Sequence, residues 1–91
     1  MRLNDKEIKI IKSTVGEYFD DAKIYLFGSR ILGNKKGGDI DLYILASRND
    51  YKVKLEVSAR LERRLGKPVD IVLHRDFDRP IERRALRGVE L

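Results

Sequence analysis

Lys23-Ile24-Tyr25-Leu26-Phe27-Gly28-Ser29, followed after a short spacer by Asp39-Ile40-Asp41-Leu42-Tyr43-Ile44-Leu45, is the stretch that decides the fold. Two apolar, β-prone runs flank a glycine-rich polar segment, the pattern of two strands joined by a loop. Successive strand side chains point to opposite faces, so Asp39 and Asp41 share one face while Ile40, Leu42 and Ile44 fill the other. Two carboxylates then converge on one accessible spot, next to the Gly28-Ser29 turn that ends the first strand. That juxtaposition suits a metal-bound nucleotide.

Upstream, Asn4 followed by Glu7 forms a capping-box signature. Ile8, Ile11, Val15 and Tyr18 or Phe19 recur at helical spacing and predict an amphipathic helix from about residue 5 to 19. The first strand is Lys23 to Phe27. Gly28 permits a sharp turn, Ser29 can cap a short helix through Leu32, and Gly33 to Gly38 read as a polar loop. The second strand runs from about Ile40 to Ala46.

Downstream, Ser47-Arg48-Asn49-Asp50 leads into a helix marked by Val53, Val57, Leu61 and Leu65, which Gly66 and Pro68 stop. Val69 to Leu73 is a third, β-branched strand. Pro80 opens a last short helix that Gly88 closes, and Val89 to Leu91 add a small edge strand. The expected class is α/β (α+β): a small mixed β-sheet with helices packed against it.

A chain of 91 residues is one small domain, 1–91, without repeat or linker. It buries roughly 60 to 65% of the surface its unfolded form exposes, leaving room for one site or one surface. With no cysteine, a disulfide framework and thiolate metal sites are excluded. No apolar run is long enough to span a membrane and no signal-peptide pattern is present, so the expectation is a soluble, cytoplasmic protein with no membrane partner. The net charge of +5, from 20 basic and 15 acidic residues, is compatible with nucleotides, nucleic acid or an acidic partner. The basic residues are spread along the chain, as on any well-solvated surface.

Asp70 is the third acid of interest, because it lies in an otherwise apolar strand where an unpaired carboxylate carries a desolvation cost on the order of several kcal/mol. If that strand neighbours the Asp39-Asp41 strand, three carboxylates meet at one end of the sheet. Hard oxygen ligands of that kind suit Mg²⁺ or Mn²⁺, and two such ions about 3.5 to 4 Å apart can support an in-line displacement at phosphorus. The plainer alternatives are turn chemistry for Asp39 and Asp41 and an arginine salt bridge for Asp70.

Gly28 lets a triphosphate approach the backbone, the Ser29 hydroxyl can bond a phosphate oxygen, and Arg30 can steady the triphosphate or the leaving pyrophosphate. A Walker A motif fails at Asn34-Lys35-Lys36, where lysine followed by serine or threonine is required, and no G-x-G-x-x-G occurs. Lys35 and Lys36 can reach phosphates or remain in solvent. Tyr43 shares the face of the aspartates by strand parity, and His74, at the end of an apolar strand, reads as a structural or surface residue.

These residues resemble a known family. Gly28-Ser29, a spacer, Asp39-Ile40-Asp41-Leu42 and then Asp70 on a later strand look like the nucleotidyltransferase superfamily of DNA polymerase β, in its minimal nucleotidyltransferase (MNT) branch. The likeness runs from the first helix to Gly88-Val89. It implies that Gly28 and Ser29 hold the nucleoside triphosphate, that Asp39 and Asp41 bind magnesium, and that Asp70 helps activate the acceptor hydroxyl. The spacer from Ser29 to Asp39 is one residue shorter than the common family pattern.

The resemblance further implies transfer of AMP from ATP to a hydroxyl of another macromolecule, with release of pyrophosphate. Larger relatives carry extra domains for their acceptors; here a partner would present it. Membership of the MNT group points to a small helical HEPN protein as that partner, with the present chain as antitoxin adenylylating a toxin tyrosine. Two other classes stay open: a non-catalytic nucleotide-binding or toxin-masking protein, and a nucleic-acid-binding module. The last lacks an interleaved aromatic and basic sequence pattern suited to stacking bases. Ile81 and Leu86 on the last helix are candidates for an oligomer interface.

Overall fold

The computed structural model describes residues 3–28 and 39–91. Ser29, Arg30, the short helix through Leu32, and the loop carrying Lys35 and Lys36 lie outside the described residues.

Helix α1 (Asp5–Gly16) begins with the expected capping box: the Asn4 side chain accepts from the Glu7 amide at 2.7 Å, and the Glu7 carboxylate accepts from the Asn4 amide at 3.1 Å. It stops three residues earlier than the apolar spacing predicts. The amides of Glu17 and Tyr18 donate to Thr14 and Val15 carbonyls at 3.1 and 3.0 Å, a tightened last turn. Phe19 therefore reaches the core from a turn, which periodicity alone does not distinguish from one more helical turn.

The strands are β1 (Lys23–Phe27), β2 (Ile40–Leu45), β3 (Val69–Leu73) and β4 (Val89–Glu90), joined into one sheet of order β3-β2-β1-β4. β1 is antiparallel to β2 and to β4, whereas β2 and β3 are parallel. A parallel pair needs a crossover, and α2 (Tyr51–Leu65) provides it. Asp50 caps α2 by accepting from the amides of Lys52 and Val53, and the helix ends at Gly66. The mixed sheet is the class the sequence predicts.

Strand parity sorts the apolar residues into two layers. Ile24, Leu26, Ile40, Leu42, Ile44, Val69, Ile71 and Leu73 face α1 and α2, meeting Ile11, Val15, Val53, Val57 and Leu61 in the main core. On the opposite face, Phe27, Tyr43 and Ala85 form a smaller cluster under α3 (Pro80–Ala85). Ile81 and Leu86 are not left uncovered for an interface, as the sequence suggests; both are partly buried and pack into this second cluster. A Cβ on Gly88 would run into the Leu26 carbonyl, so glycine is what allows the chain after α3 to close onto β1. Among the described residues no helix is long and apolar enough to cross a membrane.

Candidate active site

The face that carries α3 also carries the acids. Parity puts Asp41 and Asp70 on it together with Phe27 and Tyr43, and the parallel register sets Asp41 directly opposite Asp70. Asp39 immediately precedes β2 and is exposed. All three acids therefore lie at the end of the sheet where β2 and β3 begin. Asp70 is exposed rather than desolvated, so the buried-charge penalty expected from its apolar neighbours does not arise. Its strand lies at the sheet edge.

Helix α2 holds the start of β3 in place. The Glu62 carboxylate accepts from the Val69 amide at 2.9 Å, and the Ser58 hydroxyl donates to the Val69 carbonyl at 3.0 Å. Both backbone groups next to Asp70 are thereby anchored. Neither Ser58 nor Glu62 is marked by the sequence, where they look like ordinary polar positions on a solvated helix face.

Gly28 adopts φ +81°, the left-handed region where a side chain is strained. A Cβ there would collide with the Asp41 carboxylate. The turn after β1 and the central acid thus lie in van der Waals contact, and only glycine permits both the dihedral angle and the approach.

Burial raises the pKa of Asp41 above the ordinary carboxylate value, and the negative charges of Asp70 and Asp39 raise it further; the Arg84 guanidinium on α3 partly offsets them. Like charges are thus held together, with Arg84 only partly offsetting their repulsion. Among the described residues, Asp39, Asp41 and Asp70 form no ion pair, and none of the described arginines makes the salt bridge considered for Asp70. The sequence does not mark Arg84, because nothing in Pro80–Ala85 indicates which cation lies near the acids.

The donor set would fit a divalent cation: hard carboxylate oxygens, one end of the sheet, and mutual repulsion that a cation would relieve. Among the described residues, no three acidic or imidazole side chains are already closed to metal-binding distance. Asp39, Asp41 and Asp70 are thus brought to one end of the sheet but not drawn into a coordination cluster. Ser29 and Arg30, expected at the triphosphate, lie outside the described residues.

Behind the acids, the second cluster contains a polar centre that sequence reasoning missed. Glu82 is fully buried on α3, and its carboxylate accepts from the Tyr43 hydroxyl at 2.7 Å, the Arg75 amide at 2.8 Å, and the Asp76 amide and Arg79 guanidinium at 2.9 Å each. His74 Nδ1 completes the set at 2.7 Å. Burial pushes this acid up, but the Asp76 amide, His74, the Arg75 amide and Tyr43 outweigh it and bring the pKa down to about 2. Burial and the Glu82 carboxylate push the Tyr43 hydroxyl well above its usual value. Tyr43 therefore lines the core and orients α3, and His74 is structural.

The family described as Polymerase beta, Nucleotidyltransferase matches residues 9–91. By structure the chain is similar to the toxin-antitoxin MntA-HepT, at 32% identity and TM-score 0.56, covering 74% of this chain and 51% of that one. It is also similar to a tri-AMPylated Shewanella oneidensis HEPN toxin in complex with MNT antitoxin, at 30% identity and TM-score 0.51, covering 76% of this chain and 50% of that one. The chain thus spans about half the length of the solved chains it matches. No curated protein matches it.

Proposed function

The chain belongs to the polymerase beta nucleotidyltransferase family, and from that premise we propose that it transfers AMP from ATP to a hydroxyl of a partner protein. The reading is supported most by one observation: Asp41 and Asp70 face each other in parallel register, with Asp39 beside them and Gly28 pressed against the central acid. The similarity to MNT antitoxins in complex with HEPN toxins, one of them tri-AMPylated, favours a helical HEPN-type protein as the acceptor and an antitoxin role for this chain.

In this reading Asp39 and Asp41 would hold Mg²⁺, with Asp70 as the third carboxylate of the set. Mg²⁺, when bound, neutralises phosphate charge and lowers the pKa of the attacking hydroxyl. The chain's own residues position and stabilise. Gly28 leaves its turn free of side-chain bulk where the triphosphate approaches, Ser29 and Arg30 bind phosphate oxygens, and Arg84 adds positive charge on the α3 side of Asp41. The acceptor oxygen bonds to the α-phosphorus as the bond to pyrophosphate breaks. The hydroxyl proton leaves toward the Asp70 carboxylate or solvent.

Incubating the chain with a helical protein encoded beside it, ATP and Mg²⁺, and weighing both proteins intact, tests the reading. A partner heavier by whole AMP units is the expected result. ATP binding without any such product would favour a stoichiometric nucleotide-binding or masking role instead.

A further inference from the structure

At the end of the sheet opposite Asp41 and Asp70, where β2 and β3 finish, lies a cleft of about 460 Å³ that the nucleotidyl-transfer reading does not use. Its walls come from the first turn of α2 and the loop after β3, and include Asn49, Tyr51, Lys54, Arg75 and Arg79. The two ends of the cleft's polar lining are already spent on the fold. Asn49 donates its amide to the His74 carbonyl at 2.7 Å, and the Arg79 guanidinium binds Glu82 and the Leu73 carbonyl.

Lys54 and Arg75 are different. Neither is in an ion pair among the described residues. Two acids close to them in sequence are engaged elsewhere: Asp50 caps α2 and pairs with Arg48, and the Asp76 carboxylate accepts from the Asp78 amide. Beside the two cations stands the Tyr51 ring, 68% exposed, with Lys54 Nζ 5.7 Å from its centroid. Phe77, 51% exposed, stacks on His74 at 4.2 Å in the same loop as Arg75.

Folding therefore brings an exposed tyrosine ring, with Lys54 over one side of it, together with cations that are in no ion pair among the described residues, a grouping that the linear sequence does not show. That combination recognises a single-stranded nucleic acid: rings for bases, cations for phosphates. The volume lies in the range of pockets that hold small ligands, enough for a nucleotide unit. We propose that this cleft is a second site, separate from the acids, which binds a single-stranded nucleic acid with a base on Tyr51 and the adjoining phosphates at Lys54 and Arg75.

Fluorescence anisotropy with the full chain and a labelled oligouridylate of about twelve nucleotides, a length such sites commonly cover, tests the proposal. Tyr51→Ala should weaken binding about tenfold. Lys54→Ala with Arg75→Ala should lower the slope of log affinity against log salt by about 1.4, the share of two phosphate contacts on a single strand. Lys9→Ala with Lys12→Ala, the same charge change at exposed positions of α1, should leave both affinity and slope as in the wild type. The side chains changed in the cleft lie outside the buried core, and circular dichroism verifies each fold. Absent binding, wild-type affinity in Tyr51→Ala, an equal loss in the α1 variant, or displacement by oligoglutamate as effective as by unlabelled RNA would each overturn the proposal.

Discussion

Gly28 lies against the Asp41 carboxylate with a backbone dihedral that other residues avoid, so the turn after β1 and the central acid of the site are set by one close contact. Gly28→Ala introduces both left-handed strain and a collision with that carboxylate. It should destabilise the protein by roughly 1 to 3 kcal/mol in urea denaturation and weaken ATP binding by calorimetry. A variant within about 0.5 kcal/mol of wild type, the range of an ordinary surface change, would show that the turn relaxes freely.

Asp41 is an acid whose folded-state pKa is raised, by burial first and by Asp70 and Asp39 next. The sign follows directly: its ionisation works against folding at neutral pH, and the strain is relieved as pH falls through the raised value. Asp41→Asn should therefore stabilise the metal-free protein at pH 7 by about 0.5 kcal/mol, the scale of a like-charged cross-strand pair. Mg²⁺ should raise the Tm of the wild type and not that of Asp41→Asn. An equal Mg²⁺ shift in both would remove Asp41 from the metal site.

Glu82 has the opposite sign. Its folded pKa lies at about 2, below the ordinary 4.5, so its ionisation favours the folded state above pH 4.5 and that contribution is lost as pH falls from 4.5 toward 2. Glu82→Gln removes the charge from a buried acceptor of several donors and should cost roughly 3 kcal/mol at pH 7. It should also flatten the pH dependence of stability over that window. An unchanged acid limb in Glu82→Gln would mean that other carboxylates govern acid unfolding.

Tyr43→Phe isolates one bond of the same centre. The ring still fills the second cluster, and Glu82 keeps its amide, guanidinium and imidazole partners. The expected loss is about 1 kcal/mol, with no change in nucleotide affinity, because the residue orients α3 rather than touching the ligand. A selective loss of ATP binding would move Tyr43 into the site.

What was legible in the sequence is what depends on neighbours along the chain. Asn4 and Glu7 cap α1, Asp50 and Gly66 bracket α2, and the alternation in Ile40–Leu45 assigns Asp41 to the face away from the main core. The end of α1 is not legible, because Phe19 occupies a core position that one further helical turn would also reach. Asp70 was expected to be desolvated by its apolar strand, but β3 lies at the sheet edge and leaves that side chain in solvent. Glu82 was invisible for another reason: Tyr43, its hydroxyl partner, is 39 residues away, and a lone glutamate in a short charged helix reads as surface. Ile81 and Leu86 read as free apolar residues in sequence only because the cluster they complete is assembled from β1 and β2.

The most direct measurement is transfer of labelled AMP from ATP to the partner protein, in Mg²⁺, by wild type, Asp70→Asn and the Asp39→Asn/Asp41→Asn double variant, each verified as folded. The account predicts transfer by the wild type, none detectable from the double variant, and a loss of at least about a hundredfold in Asp70→Asn, the scale of removing a group that assists proton transfer. A folded double variant that transfers AMP at the wild-type rate would contradict it.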